Sequence, residues 1–242
     1  MTGRADDQAI RVDTVTITAA TDFDALVLDV LRGAGGSYRD DSAPLDWITR
    51  GYRQLRGTGY AGRLARAVAG CLTAAEPAVR AQALIFVQAE PRAAGADRVL
   101  DLLSGDRSLF AGVPDPLHPG VDLEWQLLAA LAAQLDPADE RGLRLARAEA
   151  LRPGHAEPLI GALTAAAPDL VIADAEAIVR GTPAAGLTIL IALQRAGREL
   201  IPLGRRLAPL CRADPRFATD AARFIDDPAA RAAILAAFHP EA

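Results

Sequence analysis

Lysine is absent from this 242-residue sequence; all 26 basic residues are arginine. That absence removes several chemistries together. No lysine can hold a phosphate in a glycine-rich loop, form a Schiff base or serve a kinase-type site. Cysteine is nearly absent as well. Cys71 and Cys211 stand far apart, each inside an apolar helical pattern. They read as buried free thiols, not as a disulfide framework, which suits a reducing cytoplasm. Histidine occurs three times, as His118, His155 and His239. None is spaced with Cys, Asp or another His as a metal site requires. The four serines (37, 42, 104 and 108) include no G-x-S-x-G elbow. "GAGGSY" (33–38) is glycine-rich, but it follows a helical pattern and lacks the lysine of a phosphate loop.

Long apolar runs are missing too. The opening "MTGRADDQAI" has no apolar stretch of the signal-peptide kind. No run approaches the about 18–20 residues that cross a bilayer, and "GLTILIALQRAG" is interrupted by Gln194 and Arg195. These absences predict a bacterial-type cytoplasmic protein with no catalytic residues, no metal and no cofactor. They also set the membrane aside as a partner.

What remains is apolar and helical. Hydrophobic residues make up 51% of the chain, ample for a core without staples. The net charge is −5, which opposes binding to nucleic acid or to an anionic membrane surface. After a short tail, "IRVDTVTIT" (10–18) alternates Val15 and Ile17 with threonines and predicts one short strand. From Thr21, read as an N-cap, the period becomes helical through Phe23, Leu26, Val27, Val30 and Leu31 and stops at Gly33. Twelve further helices are expected, at about 44–56, 60–73, 76–88, 92–104, 121–135, 137–151, 155–166, 168–180, 184–196, 199–212, 214–225 and 228–238. Prolines near their starts mark many of them: Pro44, Pro77, Pro137, Pro168, Pro183, Pro215 and Pro228. Acidic pairs at helix starts, Asp40/Asp41, Asp139/Glu140 and Asp226/Asp227, complement the helix dipole.

Taken in pairs, the helical hairpins begin near 44, 76, 121, 155, 184 and 214. Once the segment 105–119 is set aside, the period is about 30 residues, two helices per unit, which is the pattern of an α-solenoid. "AAEPAVRAQALIFV" (74–87) resembles the turn and second helix of a HEAT repeat, with its proline, Val-Arg pair and alanine-rich apolar face. "DDPAARAAILAAF" (226–238) is similar in shape, with Ala230 in place of the valine. The period is shorter than the usual HEAT length, so tetratricopeptide-like or irregular hairpins stay open. The resemblance, over residues 44–238, implies an all-α solenoid of about six hairpins. Residues 1–20 would form a tail and strand, and 21–242 a single helical-repeat domain.

Two stretches stand out as candidate sites. "WITRGYRQLRGTGYAGRLAR" (47–66) carries Arg50, Arg53, Arg56, Arg63 and Arg66 and no acid. Basic residues mixed with aromatics suggest a grip on nucleic acid. A helix turns about 100° per residue, however, and that places Trp47 and Tyr52 on the apolar face and the arginines opposite. The bases and aromatics are segregated, which is plain amphipathicity. The stretch is +5 beside a −5 segment at 1–46 and a −6 segment at 111–180. Such asymmetry steers charged partners.

The second stretch is the insert "GDRSLFAGVPDPLHPG" (105–120), a long loop among short connections. Its prolines limit its freedom. Leu109 and Phe110 either tuck onto the adjacent hairpin or are the apolar anchors for a partner, with Arg107 and His118 the expected rim contacts in the second case. The functional expectation is a non-catalytic protein-binding scaffold or adaptor, of which an inhibitor or immunity-type protein is a specific form. The alternative is a nucleic-acid-binding HEAT-like protein. Some HEAT-like proteins are DNA glycosylases that cradle a duplex in a basic face, and the acidic balance here opposes that.

Overall fold

A computed structural model describes residues 9–12, 15–33, 44–93 and 96–239. "GAGGSY" past Gly33, the Asp40/Asp41 pair, Ser37 and Ser42 lie outside the described residues. The chain divides into two compact units, Met1–Gln134 and Leu135–Ala242. Among the described residues they contain thirteen α-helices and one two-stranded sheet. No described helix is long and apolar enough to cross a membrane.

The first unit opens on β1 (Ile10–Val12) and β2 (Val15–Ile17), then α1 (Phe23–Arg32), α2 (Pro44–Leu55), α3 (Gly59–Gly70), α4 (Pro77–Ala89), α5 (Ala96–Ser104) and α6 (Leu123–Gln134). The single strand expected over 10–18 is corrected to two. β1 and β2 pair antiparallel, with Val12 opposite Val15. A strand of nine residues would have left its backbone groups without partners; folding back on itself satisfies them locally. Val12 and Ile17 point inward and are buried. The cap of α1 also shifts by one residue. Asp22 accepts from the Asp24 and Ala25 amides at 3.1 Å. Thr21 Oγ1 instead accepts from the Thr18 amide at 2.9 Å.

The second unit runs α7 (Glu140–Ala150), α8 (Ala156–Ala166), α9 (Pro168–Gly181), α10 (Ala185–Arg195), α11 (Ile201–Leu207), α12 (Phe217–Phe224) and α13 (Pro228–Phe238). α8 packs on α7 and α9, α9 packs on α10, α8 also packs on α10, and α11 packs on α13. Two aspartates start helices here as the acidic pairs imply. Asp139 accepts from the Arg141 and Gly142 amides and Asp227 from the Ala229 amide. Asp226 caps no helix; its carboxylate accepts from Gln194 Nε2 at 2.7 Å.

The stretches 74–87 and 226–238 share a local device. Pro77 and Pro228 sit in the first turns of α4 and α13. In each helix the arginine three residues on reaches back to the carbonyl six residues before it. Arg80 donates to the Ala74 oxygen at 2.6 Å, and Arg231 to the Ile225 oxygen at 3.0 Å. Proline cannot donate from its own nitrogen, and the guanidinium ties down the turn that leads into it. Arg80 is 3% exposed, and burial lowers its pKa.

The helical period places Trp47, Leu64, Leu84, Leu131, Leu163, Leu193 and Leu207 on inward faces, and all are buried. Leu26, Leu145 and Leu235 are only half-buried. Phe224 is 43% exposed. α12 has only eight residues, and Ile225, just past its end, takes the inward position instead. The Arg223 guanidinium lies 5.1 Å from the Phe224 ring centroid and covers one face.

Both cysteines are buried free thiols. Burial, with Asp214 nearby, pushes the Cys211 thiol up to about 12. The thiol therefore stays protonated in the native chain through the range in which an ordinary cysteine ionises. Its raised value favours the folded state at lower pH, and that advantage is lost as pH rises toward about 12. A thiol-specific reagent at pH 8 should label Cys211 only as fast as the second unit opens. Rapid stoichiometric labelling in native buffer would contradict this burial.

Candidate functional site

The loop between α5 and α6 is held by its own polar groups. Phe110 and Val113 close successive turns onto Arg107 and Phe110. Pro114 and Asp122 form an isolated antiparallel bridge, framed by amide bonds from Leu123 to Val113 and from Asp115 to Val121. Asp122 accepts from the Trp125 amide in the first turn of α6 and, with its other oxygen, from the Gly112 amide. The loop is thereby tied to the start of α6 along much of its length.

Asp115 is the centre of this arrangement. Its side chain is completely buried. One oxygen accepts from the Leu117 amide at 2.8 Å. The other accepts from Gln126 Nε2 at 2.8 Å and faces His118 Nδ1 at 2.9 Å. Gln126 is itself buried and accepts at Oε1 from Gln88 Nε2 of α4. A buried carboxylate is costly unless its lone pairs are filled, and here three donors from the loop and α6 fill them. The consequence is a loop of fixed shape whose tip, Pro116 to Gly120, stands in solvent.

The four loop residues singled out from sequence take different positions. Phe110 is 0% exposed. It is a core residue, so its reading as a surface anchor is corrected: its large apolar area is already removed from water within the first unit, with no partner needed. Leu109 is half-buried beside it. Arg107 is not a rim contact either. Its guanidinium donates to the Leu103 carbonyl and lies 3.1 Å from Glu124 Oε1, bracing the end of α5 against α6. His118 is exposed. The apolar residue that does reach solvent is Leu117, 42% exposed. Its signal in the sequence is "DPLHP", a leucine between two prolines that cannot join either helix.

The arginine stretch is also divided. Trp47 and Tyr60 are buried on the apolar faces of α2 and α3. Arg53 and Arg56 both pair with Glu90, whose side chain is only 6% exposed. The Arg53 contact is 2.5 Å, and Arg56 also lies 5.4 Å from the Tyr52 ring centroid. Arg63 donates to the Ala19 and Thr21 carbonyls at 3.0 and 2.7 Å and stacks on Phe23. It fastens the chain ahead of α1. Arg50 and Arg66 are exposed. Arg53, Arg56 and Arg63 are thus engaged within the first unit.

His155 finds an acid that spacing did not suggest. Its Nδ1 lies 3.0 Å from Glu149 Oε2, an oxygen shared with Arg152. Glu149 is buried near the end of α7, and His155 sits just before α8, so the turn between the helices brings them together.

No known protein family, curated protein or solved structure matches this chain.

Proposed function

We propose that this chain is a non-catalytic protein-binding scaffold built of HEAT-like helical hairpins, and that the 105–120 loop is its recognition element. The observation that carries the proposal is the buried Asp115 carboxylate. It fixes a proline-rich loop so that Leu117 and His118 stand in solvent on a frame already ordered. A pre-shaped loop loses little freedom on binding, and one exposed apolar side chain on it can act as an anchor.

Three further features support this reading. Helices packed on neighbours and on next neighbours are how repeat hairpins stack. The Arg80 and Arg231 clamps recur at the same offset from a first-turn proline. The engagement of Arg53 and Arg56 with Glu90 weighs against a phosphate grip, which would need those charges free. We place the protein in a reducing, cytoplasmic setting on account of its two buried unpaired thiols.

The test compares the wild-type chain with Leu117→Asp in affinity capture from source-cell lysate. An exposed substitution should change stability by no more than about 0.5 kcal/mol, so both proteins should melt alike. The expected result is a saturable protein partner retained by the wild type and lost by Leu117→Asp. A partner retained equally by both would remove the loop from the interface.

A further inference from the structure

The three histidines occupy three different environments, and the contrast singles out His118. Its ring nitrogen Nδ1 lies 2.9 Å from Asp115 Oδ2, and its side chain is 51% exposed above a fully buried carboxylate. Gln126 Nε2 lies 3.0 Å from the same ring nitrogen and 2.8 Å from the same oxygen. Because Gln126 Oε1 already accepts from Gln88, its amide nitrogen is the end turned to Asp115. Two N–H groups therefore converge on one carboxylate oxygen. A carboxylate can only accept, so the tautomer that bonds Asp115 carries its proton on Nδ1; the other tautomer would accept from Gln126 Nε2 and set a ring lone pair against the carboxylate. The lone pair is then on Nε2, and no described residue bonds that atom.

A buried carboxylate on one ring nitrogen fixes the tautomer and orientation of an imidazole and raises the electron density at the other. We propose that His118 Nε2 is a nucleophilic site that accepts a neutral acyl group from an activated ester or anhydride. The Nε2 lone pair attacks the acyl carbon, a C–N bond forms, and the bond from that carbon to the leaving oxygen breaks. The ring is cationic at that moment, and Asp115 lies against the charge. The leaving group then takes the Nδ1 proton, which leaves a neutral N-acylimidazole. A phosphoryl group fits less well. It would bring negative charge beside a buried carboxylate, and the loop's one arginine, Arg107, is turned to Leu103 and Glu124.

His155 and His239 are internal controls. His155 has a carboxylate partner, Glu149, but its side chain is only 18% exposed. His239 is exposed and lies edge-on to the Phe238 ring, with no carboxylate bonded to it among the described residues.

The experiment treats the full chain with diethyl pyrocarbonate at neutral pH and follows each histidine by peptide mass spectrometry. His118 should be carbethoxylated about tenfold faster than His239, the low end of what removing the carboxylate partner costs a metal-ligating histidine. His155 should be slowest. Asp115→Asn should bring His118 down to the rate of His239. A wild-type His118 no faster than His239 overturns the proposal, whatever the variant does. An unchanged His118 rate in an Asp115→Asn chain of unchanged melting temperature overturns it as well.

Discussion

Phe110→Ala should destabilise the first unit by about 3–5 kcal/mol, the cost of emptying a fully buried phenylalanine site. Phe110 is 0% exposed, and its own amide and carbonyl close the turns that shape the loop. Its removal therefore leaves a cavity and loosens the frame that carries Leu117. Denaturant unfolding followed by the fluorescence of Trp47 and Trp125, both in the same unit, measures this directly. Leu117→Ala should be nearly neutral in the same assay. A surface-anchor role for Phe110 requires the opposite: little loss of stability and a large loss of binding. Replacing 106–118 by a flexible linker, harmless if the insert were only an appendage, should likewise unfold the first unit.

Gly186→Ala should cost about 3 kcal/mol, the upper end of what an added methyl costs in a packed core. A Cβ at Gly186 would stand 2.3 Å from Cys211 Sγ, and both residues are buried. The clash has one main partner, so a compensating change is available. Cys211→Ala removes the sulfur, and the double variant should recover much of the loss. Thermal melts of the two single variants and the double variant give the coupling. Additive losses would mean that the glycine is required for some other reason.

The helices were legible because their punctuation is local. A proline in the first turn, an aspartate cap and an apolar period are all read within one segment, and α4, α9 and α13 begin where such signals place them. The hairpin of β1 and β2 was less legible, since three-residue strands leave too little alternation to separate two from one. Asp13, a residue depleted in strands and common in turns, is the signal that was there.

The candidate site was half legible. Its length, its prolines and its exposed histidine are sequence features. Which apolar residue faces out is legible only on one side: the prolines of "DPLHP" keep Leu117 out of either helix, whereas nothing local to Phe110 marks it as inward. The buried acids were the least visible. Glu90 lies 37 residues from Arg53, and Asp115 lies 11 from Gln126, so neither pairing has a local spacing to announce it. The segregation of arginines from aromatics in 47–66 could be read from periodicity; that a single buried glutamate gathers Arg53 and Arg56 could not.

The central claim is that a partner protein is bound at the tip of the 105–120 loop. A photo-crosslinking residue placed at 117, 151 or 224 tests it most directly, since Leu117, Leu151 and Phe224 are the large apolar residues that stand exposed among those described. Irradiation in the source cells should yield one discrete protein adduct from position 117 and none from positions 151 and 224. An adduct confined to 151 or 224, or adducts to nucleic acid in place of protein, would contradict the account.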